Sequence, residues 1–456
     1  MSATPGSDPV ATAASEVIGG PRGRYAAQRS LPWVVVAALL SALAAVPVGL
    51  GILIRVPCIR SGWVGTEQFW NACYADLPGT YRDAGVRGGL AAYLQGGAGA
   101  PTTGQPPLTG LVLTTVASLV PDQSQLPQAL RDPARVKWFF ALWAVLLTVA
   151  LLVTIWLVAA SVRPSFAAAH VALSPVVALT LFLSADLLGV ALATAGMVAW
   201  GRRRLVLAGV LLGLATSARS YPVLIVVAIG LLALRAGRLP EFGRTIGCAA
   251  LVFGAVLSGL FVLNPAAARS AYQGWASAGP GYGSPWLLPQ LGGHPLPDGV
   301  VTGLAVAGWV LAVLVGSVLA LAVRRRPTVA EVSLVMVAVV LVTGKSFPVQ
   351  SSLWLVPLVA LCALPWRDHL LWAGAEALNF VAVWLVIAAT TVPDRGLPNS
   401  WYSFFAMVRL TAVGWLVVAV WLRARARLPR REDAAEPDEL AGVLAREPDR
   451  LQVRFS

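Results

Sequence analysis

Four ionisable residues interrupt apolar sequence: Asp186 in Ser184-Ala185-Asp186-Leu187-Leu188, Arg219 in Ser217-Ala218-Arg219-Ser220-Tyr221-Pro222, Lys345 in Thr343-Gly344-Lys345-Ser346-Phe347-Pro348, and Glu376 inside a long apolar run. A charge at membrane depth costs on the order of 2.5–3.5 kcal/mol, so each is a functional candidate with a partner to be found. Two isolated cations at the rim of a helical bundle suit an anionic lipid head group, which Arg grips with two parallel hydrogen bonds and Lys as a point charge. Asp186 then either orders that site or simply neutralises one cation in a structural ion pair. Asp76, in Cys73-Tyr74-Ala75-Asp76-Leu77-Pro78, is a carboxylate among aromatics. Such surroundings raise a carboxyl pKa, which suits a general base toward a hydroxyl. A solvated loop aspartate is the plainer reading, and Asp83, next to Arg82, is the rival for the role.

Cys58 and Cys73 share one polar stretch and are able to pair in an oxidising compartment, whereas Cys248 and Cys362 read as buried thiols in helices. His170, His294 and His369 lie far apart in sequence and show no metal-ligand spacing. There is no glycine-rich phosphate loop and no nucleophile elbow. No metal and no cofactor is expected.

The elements that must position these residues are apolar helices. Hydrophobic residues make up 57% of the 456 positions and charged residues 12%, about half the charged share of soluble domains; mean hydropathy is +0.73. The fold class is therefore an all-α polytopic membrane bundle of about twelve helices. Apolar spans fall at 32–54, 136–162, 166–182, 186–200, 204–218, 220–234, 244–263, 300–323, 328–343, 347–364, 368–391 and 399–422. Several between 166 and 234 are shorter than a spanning helix. Residues 1–31 read as a disordered tail, 32–423 as the membrane domain and 424–456 as a charged tail. The polar character of the first tail argues against a cleavable signal peptide.

The net charge of +13 comes from arginines clustered at alternate turns and at both ends, where topology rules place them, and not from a nucleic-acid-binding surface. Arg202 to Arg204, Arg235, Arg238, Arg244, Arg324 to Arg326 and Arg367 all lie inside only if both termini are cytoplasmic. The short apolar segment 107–120 then reads as re-entrant or interfacial on the outer side. Two large loops, 55–135 and 264–299, face outward, rich in Gly, Pro, Trp and Tyr. Membrane-interface anchoring accounts for part of their aromatic content; a ligand-covering lid accounts for the rest.

Several short motifs, in order, resemble glycosyltransferase family 87, polyprenyl-phosphate-mannose-dependent mannosyltransferases of the GT-C fold from actinobacteria. They are Cys73-Tyr74-Ala75-Asp76-Leu77, Pro107-Leu108-Thr109-Gly110, Ser184-Ala185-Asp186-Leu187-Leu188, Leu207 to Leu214, Arg219-Ser220-Tyr221-Pro222, Gly281-Tyr282-Gly283-Ser284-Pro285-Trp286, and Lys345-Ser346-Phe347-Pro348-Val349-Gln350 with Trp354 and Pro357. The resemblance implies a GT-C-like bundle at the plasma membrane with its site on the extracytoplasmic face. It implies a polyprenyl-phosphate-sugar donor entering from membrane lipid, a glycolipid or glycan acceptor, and inversion with Asp76 as base. Arg219 and Lys345 would hold the donor phosphate, and Asp186, Tyr81, Tyr221, Gln350 and Trp286 would order the site or bind acceptor. Family members often carry Asn-Trp-Asp where this chain has Ser184-Ala185-Asp186, Lys at Arg219, and Glu-Tyr-Pro at Gln105-Pro106-Pro107.

Two other classes fit the same features. A carrier or flippase for lipid-linked saccharides also needs cations near lipid, but it should show broken helices in corresponding halves and ionisable residues near mid-bilayer, whereas this chain has no evident internal repeat and concentrates its polar residues in the two outer loops. A non-catalytic envelope assembly protein would keep the fold while losing the motif positions just named.

Overall fold

The computed structural model describes residues 31–83, 86–97, 99–392, 395–426 and 438–453, and among them every regular element is helical. Among the described residues, six helices are long and apolar enough to cross a membrane: α1 (Trp33–Ser61), α4 (Gln128–Ala159), α8 (Leu239–Leu263), α10 (Asp298–Ala322), α12 (Trp366–Thr391) and α13 (Asn399–Ala426). Shorter ones lie between them: α2 (Asp76–Asp83), α3 (Pro107–Ser118), α5 (Asp186–Gly201), α6 (Leu205–Ala218), α7 (Pro222–Ala236), α9 (Pro265–Ser277) and α11 (Val329–Thr343). The chain is a helical membrane protein by this composition and length.

Two expected spans are broken. In 166–182 the chain leaves helical geometry at Leu173 and Ser174 ahead of Pro175, leaving only one-turn pieces and the helix Pro175–Thr180. In 347–364 a 3₁₀ stretch, Val349–Trp354, follows Pro348 and gives way to Val356–Leu361, with Pro357 in its first turn. Proline removes a helical donor and pushes the preceding residue out of the helical region, which hydropathy alone does not register. The first and fourth helices also run further than expected, so the loop read as 55–135 shrinks to 62–127.

Small residues set the closest packing. A Cβ on Gly209 would collide with the Thr245 carbonyl, and one on Gly213 would stand 3.0 Å from Val252, so these two glycines, four apart on α6, let α8 approach backbone to backbone. The bundle has two chemically distinct ends. At one, Arg163 pairs with Glu439, Arg203 donates to Gly442 O, Arg238 pairs with Glu447, and Arg235 and Arg326 share Asp449. The expected tail 424–456 is thus partly structure: residues 438–453 fold back and stitch four arginine-bearing turns together, with Leu440 and Leu444 buried in the core. Residues 1–30, 427–437 and 454–456 lie outside the described residues.

Candidate functional site

The opposite end brings distant turns together. The disulfide between Cys58 and Cys73 fastens the 62–75 loop to the end of α1. The Asp76 amide then donates to Leu183 O at 2.8 Å, so the start of α2 meets the turn that carries Asp186. Asp76 Oδ2 accepts from Gln350 Nε2 at 2.9 Å, and the Tyr74 hydroxyl donates to the same carboxylate. Burial, reinforced by the negative charge of Asp186, pushes its pKa up to about 6, against the Tyr74 hydrogen bond and the positive charges of Arg219 and Arg55. The rival Asp83 ends α2, and its side chain lies outside the described residues.

Asp186 and Arg219 form a nearly buried ion pair, Nε to Oδ1 at 2.6 Å. The carboxylate also accepts from Trp354 Nε1 and Ser184 Oγ, while Tyr221 stacks on Trp354 with centroids 4.7 Å apart. Arg219 Nη1 donates to Gln105 Oε1, Thr109 Oγ1 and Ala218 O. Among the described residues, Nη2 has no hydrogen-bond partner. Three hydrogen bonds thus fix the Asp186 carboxylate, which holds Arg219 in place. Gln105 supplies a neutral oxygen to the same guanidinium.

Two cavities meet here. The larger, about 680 Å³, is walled mainly by apolar groups including Val223, Phe253, Tyr272, Trp275, Val306 and Trp309, and holds Arg219 and Asp186. The smaller, about 290 Å³, is lined by Phe69, Tyr74, Tyr282, Asn379 and Trp384. Asp76, Pro348 and Gln350 line both. In the smaller cavity, Asn379 Oδ1 and Trp384 Nε1 are buried without a hydrogen-bond partner. Both atoms are closed off from the cavity surface, and a buried polar atom left unpaired among the described residues is costly. Phe69, Tyr74 and Trp384 form one aromatic cluster, with centroids 5.0 to 6.2 Å apart.

The structure does not bring every expected residue to these walls. Lys345 Nζ donates to the carbonyls of Trp275 and Ala276 at the end of α9 and lies 4.9 Å from the Trp275 ring. It lines neither cavity, whereas Arg219 lines the larger one; the ammonium is engaged by the carbonyls at a helix C-terminus. Tyr81 packs on Phe139, and Trp286 Nε1 donates to Thr343 O; both support the walls from outside. His170 and His369, distant in sequence, are neighbours in space, with ring centroids 4.9 Å apart.

Glu376 finds its partner in Arg409, which, like Arg55, the sequence reading passed over. Arg55 is fully buried on α1, donates to Leu179 O and has no carboxylate in salt-bridge contact among the described residues. Both arginines, like Glu376, are charges within apolar helices, and that placement is legible in the sequence. Asn379 and Trp384 gave no such signal, because amide and indole groups are ordinary in a helix until a cavity opens beside them.

No protein-family model matches the chain, and neither a curated protein nor a solved structure matches it.

Proposed function

We propose that this chain is a membrane glycosyltransferase of GT-C type that moves a sugar, mannose by the family resemblance, from a polyprenyl-phosphate donor to a glycolipid or glycan acceptor. The observation that carries the reading is Asp76, a carboxylate with its pKa near 6 at the junction of an apolar cavity holding a guanidinium and a smaller aromatic one. The large cavity suits a lipid-linked donor, with the open Nη2 of Arg219 toward its phosphate. The small one suits the acceptor sugar, whose ring stacks on the aromatic side chains Phe69, Tyr74 and Trp384.

The sugar C1–O bond to phosphate breaks as the acceptor oxygen bonds to C1 from the opposite face, giving inversion. The acceptor hydroxyl proton passes to Asp76, and the leaving polyprenyl phosphate keeps the bonding electrons, its charge met by Arg219. Asp186 has the positioning role, holding Arg219 rather than binding acceptor. In this reading the six long helices, with α5, α6, α7, α11 and the two broken segments 166–182 and 347–364, cross about a dozen times, both termini lie on the cytoplasmic side, and the site is extracytoplasmic.

Purified protein in nanodiscs, given polyprenyl-phosphate hexoses and an envelope glycolipid extract, tests the reading. Glycosylated lipid with release of polyprenyl phosphate is expected. Reconstituted protein that moves the donor across vesicles without forming product would instead support the carrier.

A further inference from the structure

Arg409 is fully buried on α13 and does more than neutralise Glu376. Nε donates to Glu376 Oε2 at 2.8 Å, Nη1 to Phe347 O at 2.5 Å, and Nη2 to Pro348 O at 3.2 Å and to Ser352 Oγ at 2.9 Å. The guanidinium lies 3.5 Å from the centroid of the Phe347 ring. Glu376 is itself fixed, its second oxygen accepting from Trp372 Nε1 at 2.9 Å.

Three of the four acceptors belong to one irregular segment, 347–352, where the expected helix is broken. Irregular backbone at membrane depth survives only where its polar groups find partners inside the protein. An apolar pair could replace a buried ion pair at little cost to stability. It could not hold two consecutive carbonyls and a hydroxyl. The same segment supplies Pro348 and Gln350, which line both cavities, and Gln350 reaches Asp76. From the other side, the Phe347 amide donates to Tyr282 O, and the Gly283 amide donates to the Tyr402 hydroxyl.

We propose that Arg409, fixed by Glu376, is the positioning residue of the site: it sets the 347–352 turn and thereby the Gln350 amide that orients Asp76 between the two cavities. The proposal rests on the glycosyltransferase reading for its catalytic consequence but not for its geometry. The groups that set the titration of Asp76 are the Tyr74 hydroxyl, Asp186, Arg219 and Arg55, with Gln350 as the donor that Arg409 controls. Losing a donor to the ionised form raises a carboxyl pKa, so the pH midpoint of transfer should move above 6 when the turn is released.

The test is the charge-balanced double variant Glu376→Gln/Arg409→Met, read by hydrogen exchange, thermal stability and the pH–rate profile. Exchange at 347–352 should rise about tenfold or more while the rest of the bundle keeps its protection. Turnover should fall about tenfold with an upward pH midpoint and little change in acceptor KM. Added to Gln350→Ala, the double variant should cost less than about threefold more, because both act through one contact. Wild-type protection at 347–352, or losses that multiply with Gln350→Ala, would overturn the proposal. If no donor yields product, exchange alone decides: a protected turn overturns it and a released turn upholds it. Should the double variant not fold, Ser352→Ala must raise local exchange by a smaller factor; unchanged exchange counts against the proposal.

Discussion

Asp76 is asked to be a base at neutral pH, and its surroundings decide whether it can be. With its pKa near 6, it is mostly ionised at pH 7 yet basic enough to take a proton as the acceptor attacks. Transfer should therefore rise with pH through about 6 and level off above it, a profile that initial rates from pH 5 to 8 would display. Trp384→Ala should raise acceptor KM about tenfold and leave donor affinity unchanged, as measured by varying each substrate in turn. From its neighbours alone Asp76 reads most plainly as a solvated loop aspartate, and only the family resemblance singles it out. Its bond to Gln350, 274 positions away, is legible in neither, because nothing local to either residue encodes that meeting. Lys345 shows the converse: an isolated cation looked like a phosphate ligand, and only the fold supplied the helix end that engages it.

At the scale of the elements, helices were legible from hydropathy and their breaks were not. The segments 166–182 and 347–364 have apolar composition suited to crossing, but Pro175, Pro348 and Pro357 divide them. The second of these breaks shapes the candidate site, because the turn it creates carries Gln350 to Asp76. Gly283 marks how tightly that turn is met. Its φ of +79° is rare for residues with a side chain, and a Cβ would collide with the Phe347 carbonyl and the Arg409 guanidinium. Gly283→Ala should cost about 1–3 kcal/mol of stability and reduce transfer, measured by thermal unfolding and rate together. The Cys58–Cys73 disulfide closes a 15-residue separation ahead of Asp76. Cys58→Ser/Cys73→Ser should lose about 3 kcal/mol by chain-entropy reasoning, seen as a lower melting temperature in the absence of reductant.

For the whole molecule, the arginine clusters foretold one basic end, but not that the chain returns to bind it. Asp449 accepts from Arg235 and Arg326, and although burial pulls the other way, the two guanidiniums hold its carboxyl below the ordinary range. A depressed carboxyl pKa stabilises the fold above that range and ceases to do so as pH falls through the folded value. Asp449→Asn should therefore lower the melting temperature at pH 7 and narrow the gap from wild type at acid pH. Such a clasp is invisible to composition, since a charged tail and a docked one read alike. It holds one end of the bundle while the two cavities occupy the other.

The central claim is that a single carboxylate joins the two cavities chemically. Single-turnover transfer from a polyprenyl-phosphate sugar, wild type against Asp76→Asn at pH 7.5, tests it most directly. The expected result is donor binding by both proteins and a transfer rate at least about 100-fold lower in the variant. Equal transfer by the two would contradict the claim.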